Sequence, residues 1–343
     1  MADSSTRLLI LRMSALGDVL FAVPLAQALA DSGRFASVAW LVEDRAVALL
    51  RMVPEIQELV VFPRTRKSRW WGHAAGLLRR RDDLVLDLQG NLKSRLHLAF
   101  LRSKKKWGFD LPRARDGSQR ALTRRLPPHP DRPHRVDANL ALLAHFDLPV
   151  PRPSPRPRLA IPEAARQRVN DWLDGQPAGG PFVVLHPGTS AFGAFKRWPV
   201  ERFGALAREL RERHDARVLL SGGPAESDLV EQVRAACGGH APQAPTRGLE
   251  ELAALLQAAD LVVAADSLPL HLANALATPV IGLYGPKDPR VTGPAWDRSR
   301  VVRAEVHCSP CTLRRCADPI CMTRLPERAV LQAADDLLRA ATS

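Results

Sequence analysis

Short apolar runs alternate with stretches of helical spacing along this chain, and the alternation stops once and then starts again. The first series opens with an apolar run at 7–12, turns at Leu16-Gly17-Asp18 and continues with helical spacing over 18–30. A strand over 36–42, a helix over 44–52 and a short strand over 59–62 follow, then a strand over 84–88, the turn Gln89-Gly90 and a helix to about residue 101. The second series begins at Pro181, with strands over 182–186, 217–221, 261–265 and 280–284. Helices over 200–213, 225–236, 249–258 and 268–277 lie between them, and an amphipathic helix over 327–341 closes the chain. A strand followed by a helix, repeated, implies a parallel sheet with both faces covered, so the fold class is α/β.

Between the two series, residues 148–162 hold Pro149, Pro151, Pro153, Pro155, Pro157 and Pro162, with arginines among them. Proline at this density prevents helix and favours extended chain, which reads as a linker. A chain of 343 residues also exceeds what one ordinary core organises. The expected division is a first domain over 1–158, a second over 163–325 and a terminal helix over 326–343. Residues 127–133, also rich in proline, read as a surface loop of the first domain. Ligands of such sheets sit outside the carboxyl ends of the strands, so the strand tips are where chemistry is sought.

The composition is that of a globular chain, with 46% hydrophobic and 25% charged residues. The most apolar segment, 261–284, is interrupted by Asp266, Pro269, His271 and Pro279, and does not read as a membrane span. The short polar N-terminus lacks the basic start and apolar core of a secretory signal, so a cytoplasmic protein is expected. Net charge is +13. Residues 1–163 carry 28 Lys and Arg against 16 Asp and Glu, whereas residues 164–343 carry 21 against 20. A general preference for arginine would spread the excess over both halves. Confined to one, it makes a field that attracts anions and anionic surfaces. Nucleic acid is one such anion, but no recognised nucleic-acid motif accompanies the charge.

Five groups of residues carry chemistry. Asp18 stands at the tip of the first strand, where it either caps the following helix or takes a proton from a hydroxyl. His186-Pro187-Gly188-Thr189-Ser190, followed by Lys196-Arg197-Trp198-Pro199, joins hydroxyls, backbone N–H groups and a lysine in one strand-to-helix loop. That is either a diphosphate cradle or an ordinary solvated loop, and its spacing is not that of a P-loop. Asp266-Ser267-Leu268-Pro269-Leu270-His271 places a carboxylate at a strand tip, Ser267 as N-cap and His271 one turn on. Asp87-Leu88-Gln89-Gly90-Asn91-Leu92-Lys93 with Arg66, Lys67 and Arg69 beside Trp70 and Trp71 reads as a basic, partly aromatic wall or as solvated surface. Cys308, Cys311, Cys316 and Cys321 lie close together, as reduced thiols or as ligands of a structural metal such as zinc.

In this order the motifs resemble those of glycosyltransferase family 9, the ADP-heptose:lipopolysaccharide heptosyltransferases. The resemblance runs through Ser-x-Leu-Gly-Asp, Asp-x-Gln-Gly-x-x-Lys-Ser, His-Pro-Gly with Lys-x-Trp-Pro, Gly-Gly-Pro-x-Glu, Asp-Ser-x-Pro-x-His-Leu and Gly-Pro-x-Asp-Pro. It covers nearly the whole chain, and the cysteine cluster is similar to that of the heptosyltransferase II branch. It implies a GT-B fold, two Rossmann-like domains facing each other across a cleft, with the final helix packed back on the first. The N-terminal domain would take the acceptor and the C-terminal domain the nucleotide sugar.

By the same resemblance Asp18 is the general base. Thr189, Ser190, Lys196, Glu226, Asp266, Ser267 and His271 face the donor, and Arg66, Lys67, Arg69, Gln89 and Lys93 the acceptor. The implied reaction inverts the anomeric centre of ADP-heptose and requires no cofactor or catalytic metal. Its partners would be Kdo-lipid A or a heptosylated lipid at the inner face of the cytoplasmic membrane, with peripheral attachment and no nucleic acid. Leu268 departs from the family's usual glycine, and Lys287 from a small hydroxyl residue. The alternatives are a family member with another nucleotide sugar, a protein or another glycan as acceptor, a GT-B-shaped epimerase, or a non-catalytic anion- or nucleic-acid-binding protein.

Overall fold

The computed structural model describes residues 5–128, 131, 133–311, 313 and 315–342. The chain divides into two compact units, Met1–Ala160 and Ile161–Ser343, the boundary falling within the proline-rich segment. Of the loop expected at 127–133, residues 129, 130 and 132 lie outside the described residues.

The first unit runs β1 (Arg7–Leu11), α1 (Leu16–Leu20), α2 (Val23–Asp31), β2 (Ser37–Glu43), α3 (Val47–Arg51), β3 (Glu58–Phe62), α4 (Trp70–Arg79), β4 (Leu84–Asp87), α5 (Leu92–Phe100), β5 (Lys105–Phe109), β6 (Arg124–Leu126) and α6 (Arg135–Leu140). Its six strands are parallel in the order β3-β2-β1-β4-β5-β6. β1 and β4 are buried almost throughout, as their unbroken apolar runs require of central strands covered on both faces. The edges are blunted by charge: Glu58 opens β3, and Arg124 and Arg125 open β6. The single helix expected over 18–30 is two helices, with Pro24 in the first turn of the second. Proline has no N–H for the preceding turn and is tolerated where a helix begins.

The second unit runs α7 (Glu163–Asp174), β7 (Phe182–His186), α8 (Val200–His214), β8 (Arg217–Leu220), α9 (Ser227–Ala236), α10 (Leu249–Ala258), β9 (Leu261–Ala265), α11 (Leu268–Ala275), β10 (Val280–Tyr284), α12 (Pro289–Thr292), β11 (Ser299–Arg303), α13 (Ile320–Thr323) and α14 (Glu327–Thr342). Its five strands are parallel in the order β11-β10-β9-β7-β8. β7, β9 and β10 are buried along their whole length. The terminal helix corrects the sequence reading, which set it against the first domain. Val330, Ala334, Leu337 and Leu338 of α14 share one core with Phe203 and Leu206 of α8, so its apolar face belongs to the second unit.

Each sheet has one place where successive connections run to opposite sides. In the first it lies between β1 and β4, in the second between β7 and β9. The carboxyl ends of such neighbouring strands open a crevice, because the loops that leave them diverge. Asp18 and Gln89 follow the strands at the first of these points, and Lys196 and Asp266 those at the second.

Candidate functional site

At the switch point of the first sheet, Gln89 fixes the turn that carries Asp18. Its side-chain oxygen accepts from the backbone N–H of Met13 at 3.0 Å and of Ser14 at 3.1 Å. The chain then turns through Gly90, whose φ of +62° lies in the left-handed region that suits glycine. Asn91 caps α5 by accepting from the N–H of Ser94, whose hydroxyl bonds the buried carboxylate of Asp87 at 2.8 Å. Gln89, assigned from the sequence to the acceptor, is thus tied to the backbone of the segment that leads to Asp18.

Asp18 does not cap α1, because the N-cap is Ala15 and makes no side-chain bond. Instead Arg12 Nη2 stands 2.6 Å from one carboxylate oxygen, and Arg135 Nη1 donates to the other. Burial brings the Arg12 guanidinium down to about 10, an effect opposed by Asp87, so it remains a cation at neutral pH. The same burial pushes the carboxyl of Asp87 up. Arg113 adds a third guanidinium. It lies 3.6 Å from the Phe109 ring centre and donates to Asn139 at 2.8 Å. Burial and the repulsion of Arg12 lower it to about 9. Arg135 and Asn139 are one turn apart on α6, so Arg135 and the side chain that holds Arg113 lie on one face of that helix.

Lys93 pairs with Glu43 and donates to the Ser14 hydroxyl at 3.2 Å. Glu43 has a fully buried side chain that also holds Arg45 at 2.9 Å and Arg64 at 3.1 Å. Desolvation would raise its carboxyl, but the bonds from Lys93 and Arg64 and the nearby charges hold it below its usual range. Arg66, Lys67 and Arg69 lie exposed at the turn before α4 and make no ion pair among the described residues. Arg64, from the same turn, meets Lys93 through their shared partner Glu43.

At the switch point of the second sheet, Asp266 leaves the end of β9 and Lys196 leaves the turn Ala191–Lys196. Lys196 Nζ and Asp266 Oδ2 are 2.5 Å apart, with both side chains largely buried. His271 Nε2 lies 3.3 Å from the other oxygen and the Tyr284 hydroxyl 3.4 Å from it. Desolvation pushes this carboxyl up, yet the His271 bond and the Lys196 charge outweigh it and hold Asp266 well below the usual carboxylate range. Across the loop after β7, Gly188 packs directly on the carboxylate of Glu226, which accepts from the N–H of Gly223 at 2.9 Å. Thr189 is buried, and its hydroxyl oxygen accepts from Arg197 at 3.3 Å, while Ser190 is exposed.

Ser267 occupies the N-cap of α11, but its hydroxyl donates to Ala265 O at 3.1 Å instead of capping. Leu268 is the first residue of α11 and is only half-buried. The helix ends at Ala275, two residues before the expected Ala277. Lys196, Asp266 and His271 are thus brought together, while Glu226 lies beside Gly188 and His186. Arg12, Glu43, Arg113 and Arg135 were not singled out in the sequence. The one signal available was a cation closing an otherwise apolar run, at Arg12.

Cys308, Cys311, Cys316 and Cys321 are free thiols. Among the described residues no group of three or more His, Cys, Asp or Glu is placed to hold a metal ion. Among them, too, no helix is long and apolar enough to cross a membrane.

The chain is similar to known proteins in sequence and in fold. Lipopolysaccharide core heptosyltransferase OpsX of Haemophilus influenzae is 29% identical over 308 residues, covering 88% of this chain and 85% of that protein. Lipopolysaccharide heptosyltransferase 1 of Pseudomonas aeruginosa is 29% identical over 358 residues, covering 95% and 96%. The structure of Escherichia coli ADP-heptose lipopolysaccharide heptosyltransferase II superposes with a TM-score of 0.79 at 22% identity, covering 98% of this chain and all of that one. The two parallel-sheet units are those of the GT-B fold. Residues 70–320, well over half of the chain, match glycosyltransferase family 9 (heptosyltransferase), and the chain belongs to that family.

Proposed function

We propose that this chain transfers heptose from ADP-heptose to the anionic inner core of lipopolysaccharide, with inversion at the anomeric carbon. The observation that carries the reading is the grouping of Lys196, Asp266 and His271 at the switch point of the second sheet, in a chain of the heptosyltransferase family. The names of the similar proteins support the substrates: lipopolysaccharide heptosyltransferases, one of them an ADP-heptose enzyme.

In this reading the second unit holds the donor. Lys196 turns from Asp266 to the diphosphate, whose charge grows as the glycosidic bond breaks, and loop N–H groups assist it. Thr189, Ser190 and Ser267 supply further hydroxyls, Glu226 holds the ribose, and Asp266 with His271 positions the sugar. The positive charge comes from the protein, so the step needs no catalytic metal. The first unit holds the acceptor. Asp18 takes the proton of the attacking hydroxyl, whose oxygen enters opposite the departing diphosphate. Arg12 and Arg135 keep Asp18 a carboxylate and fix its direction, while Lys93, Arg66, Lys67 and Arg69 draw in the acceptor's anionic groups. Such an acceptor is lipid-linked, which places the enzyme peripherally at the cytoplasmic face of the inner membrane.

The test is incubation with ADP-heptose and Kdo-lipid A, or a heptosylated lipid, read by mass spectrometry for one added heptose and released ADP. No product with either acceptor, alongside turnover of another nucleotide sugar or a protein acceptor, would replace the substrates. The absence of both hydrolysis and transfer with every donor and acceptor would remove the enzymatic reading.

A further inference from the structure

Helix α5 carries an apolar stripe that its own unit leaves uncovered. Leu92, Leu96 and Phe100 recur every four residues and so line one face of the helix. They are 51%, 56% and 37% exposed, while Ser94, His97 and Leu98 do the packing on the other face. Helix α4 packs beside α5 and is thinly anchored: only Leu77 is buried, while Trp71 is 84% exposed and Leu78 also faces out. Single exposed apolar side chains are ordinary, but a row of them on neighbouring helices marks an interaction surface.

The charge around the stripe says what covers it. Neither residues 63–81 nor residues 88–109 include an Asp or a Glu. Arg66, Lys67 and Arg69 precede α4, Arg95 lies within α5, and Arg102 and Lys104 follow it, none with a carboxylate partner among the described residues. A second copy of the chain would set this positive field against itself. A nucleic acid would engage the cations and leave the leucines in water. An anionic lipid surface takes both, with apolar side chains and tryptophan at the acyl boundary and Lys and Arg on the phosphates.

We infer that the α4–α5 face docks on an anionic lipid bilayer, with Trp71, Leu92, Leu96 and Phe100 entering the headgroup region. The inference deepens the proposed function and rests on its lipid-linked acceptor. α5 begins at the switch point of the first sheet, where Lys93 meets Ser14, so docking would bring that end of the crevice to headgroup level.

The test is co-sedimentation of the full chain with phosphatidylethanolamine–phosphatidylglycerol vesicles and with phosphatidylcholine vesicles, at low and high salt. The comparison is Leu96→Glu/Phe100→Glu, which touches no residue of either switch point. The expected result is binding to the anionic vesicles alone, weakened by salt, with roughly ten-fold weaker binding in the variant. The variant's melting temperature and its turnover of a delipidated, water-soluble acceptor should stay at the unsubstituted level. Equal vesicle binding by both proteins, or none by the unsubstituted chain, overturns the inference. So does a dimer that the substitutions dissociate, which would make the face a contact between copies. Vesicle binding without heptosyl transfer would sink the enzymatic reading alone, and transfer without vesicle binding would sink the docking surface alone.

Discussion

Arg12 Nη2 stands 2.6 Å from Asp18 Oδ2, and Arg135 holds the other oxygen of the same carboxylate. A carboxylate gripped on both oxygens is aimed as well as charged, because two guanidinium planes restrict its rotation. For the base we propose, which must meet one acceptor hydroxyl, aim matters as much as basicity. Asp18→Asn keeps the size and loses the proton acceptor. Turnover should fall by about a thousand-fold, within the range typical of general-base removal. Calorimetry with ADP should show unchanged affinity, since the nucleotide is assigned to the second unit. Retained turnover would take Asp18 out of its role.

Lys196 and Asp266 form a largely buried pair, with side chains 18% and 12% exposed. Removing one partner of such a pair strands the other charge, at a typical cost of about 3–5 kcal/mol. Lys196→Met should therefore lower the melting temperature as well as donor affinity. The double variant Lys196→Met/Asp266→Asn removes both charges and should regain much of the melting temperature, yet turnover should stay low. If the double variant regained turnover as well, the lysine would be structural and the phosphate would be held elsewhere.

The central strands were legible because their residues leave no choice. β9 is apolar throughout, β7 and β10 are apolar up to His186 and Tyr284 at their ends, and such runs are buried on both faces. The polar edges β6 and β11, with Arg124, Arg125 and Arg300, gave no such signal and were not read as strands. Nor were α4, which holds Gly72 and Gly76, and α7, which buries only Ala165 and Val169. Both helices lack the broad apolar face that a periodicity argument needs. The site divides in the same way. Asp18, Lys196 and Asp266 follow strands and could be found from that position. Arg135 reaches Asp18 from 117 residues away, and Lys93 reaches Glu43 from 50, so only the folded chain reveals those pairs.

His73 and His97 face each other at 5.3 Å between ring centres, and the Nε2 atom of each is buried without a hydrogen-bond partner. Burial, then the charge of His97, lowers His73 from 6.5 to about 4, and burial lowers His97 as well. Below pH 6.5 the unfolded chain takes up protons at these rings that the folded chain refuses, so acid favours unfolding. The stabilisation is whole above pH 6.5 and gone below about 4. Melting temperature should therefore fall as pH drops through this window, and His73→Phe should flatten the slope. An equal slope in the variant would place the acid sensitivity elsewhere, with the paired carboxylates Glu43 and Asp266 the next groups to test.

Gly188 gives the sharpest test of the donor side, because it depends on space and not on charge. A Cβ at this position would overlap the carboxylate of Glu226. Gly188→Ala must therefore push Glu226 aside, breaking its bond to the N–H of Gly223, while the strand before it stays as it is. Glu226 is the residue assigned to the ribose, and one lost hydrogen bond to a charged group is worth about 1.5–3 kcal/mol. The KM for ADP-heptose should rise roughly ten-fold or more, with the KM for the acceptor little changed. Glu226→Gln, which leaves the glycine alone, should give a donor defect of similar size. Should Gly188→Ala raise the acceptor KM instead, the loop after β7 would belong to the acceptor, and the division of labour between the two sheets would have to be reversed.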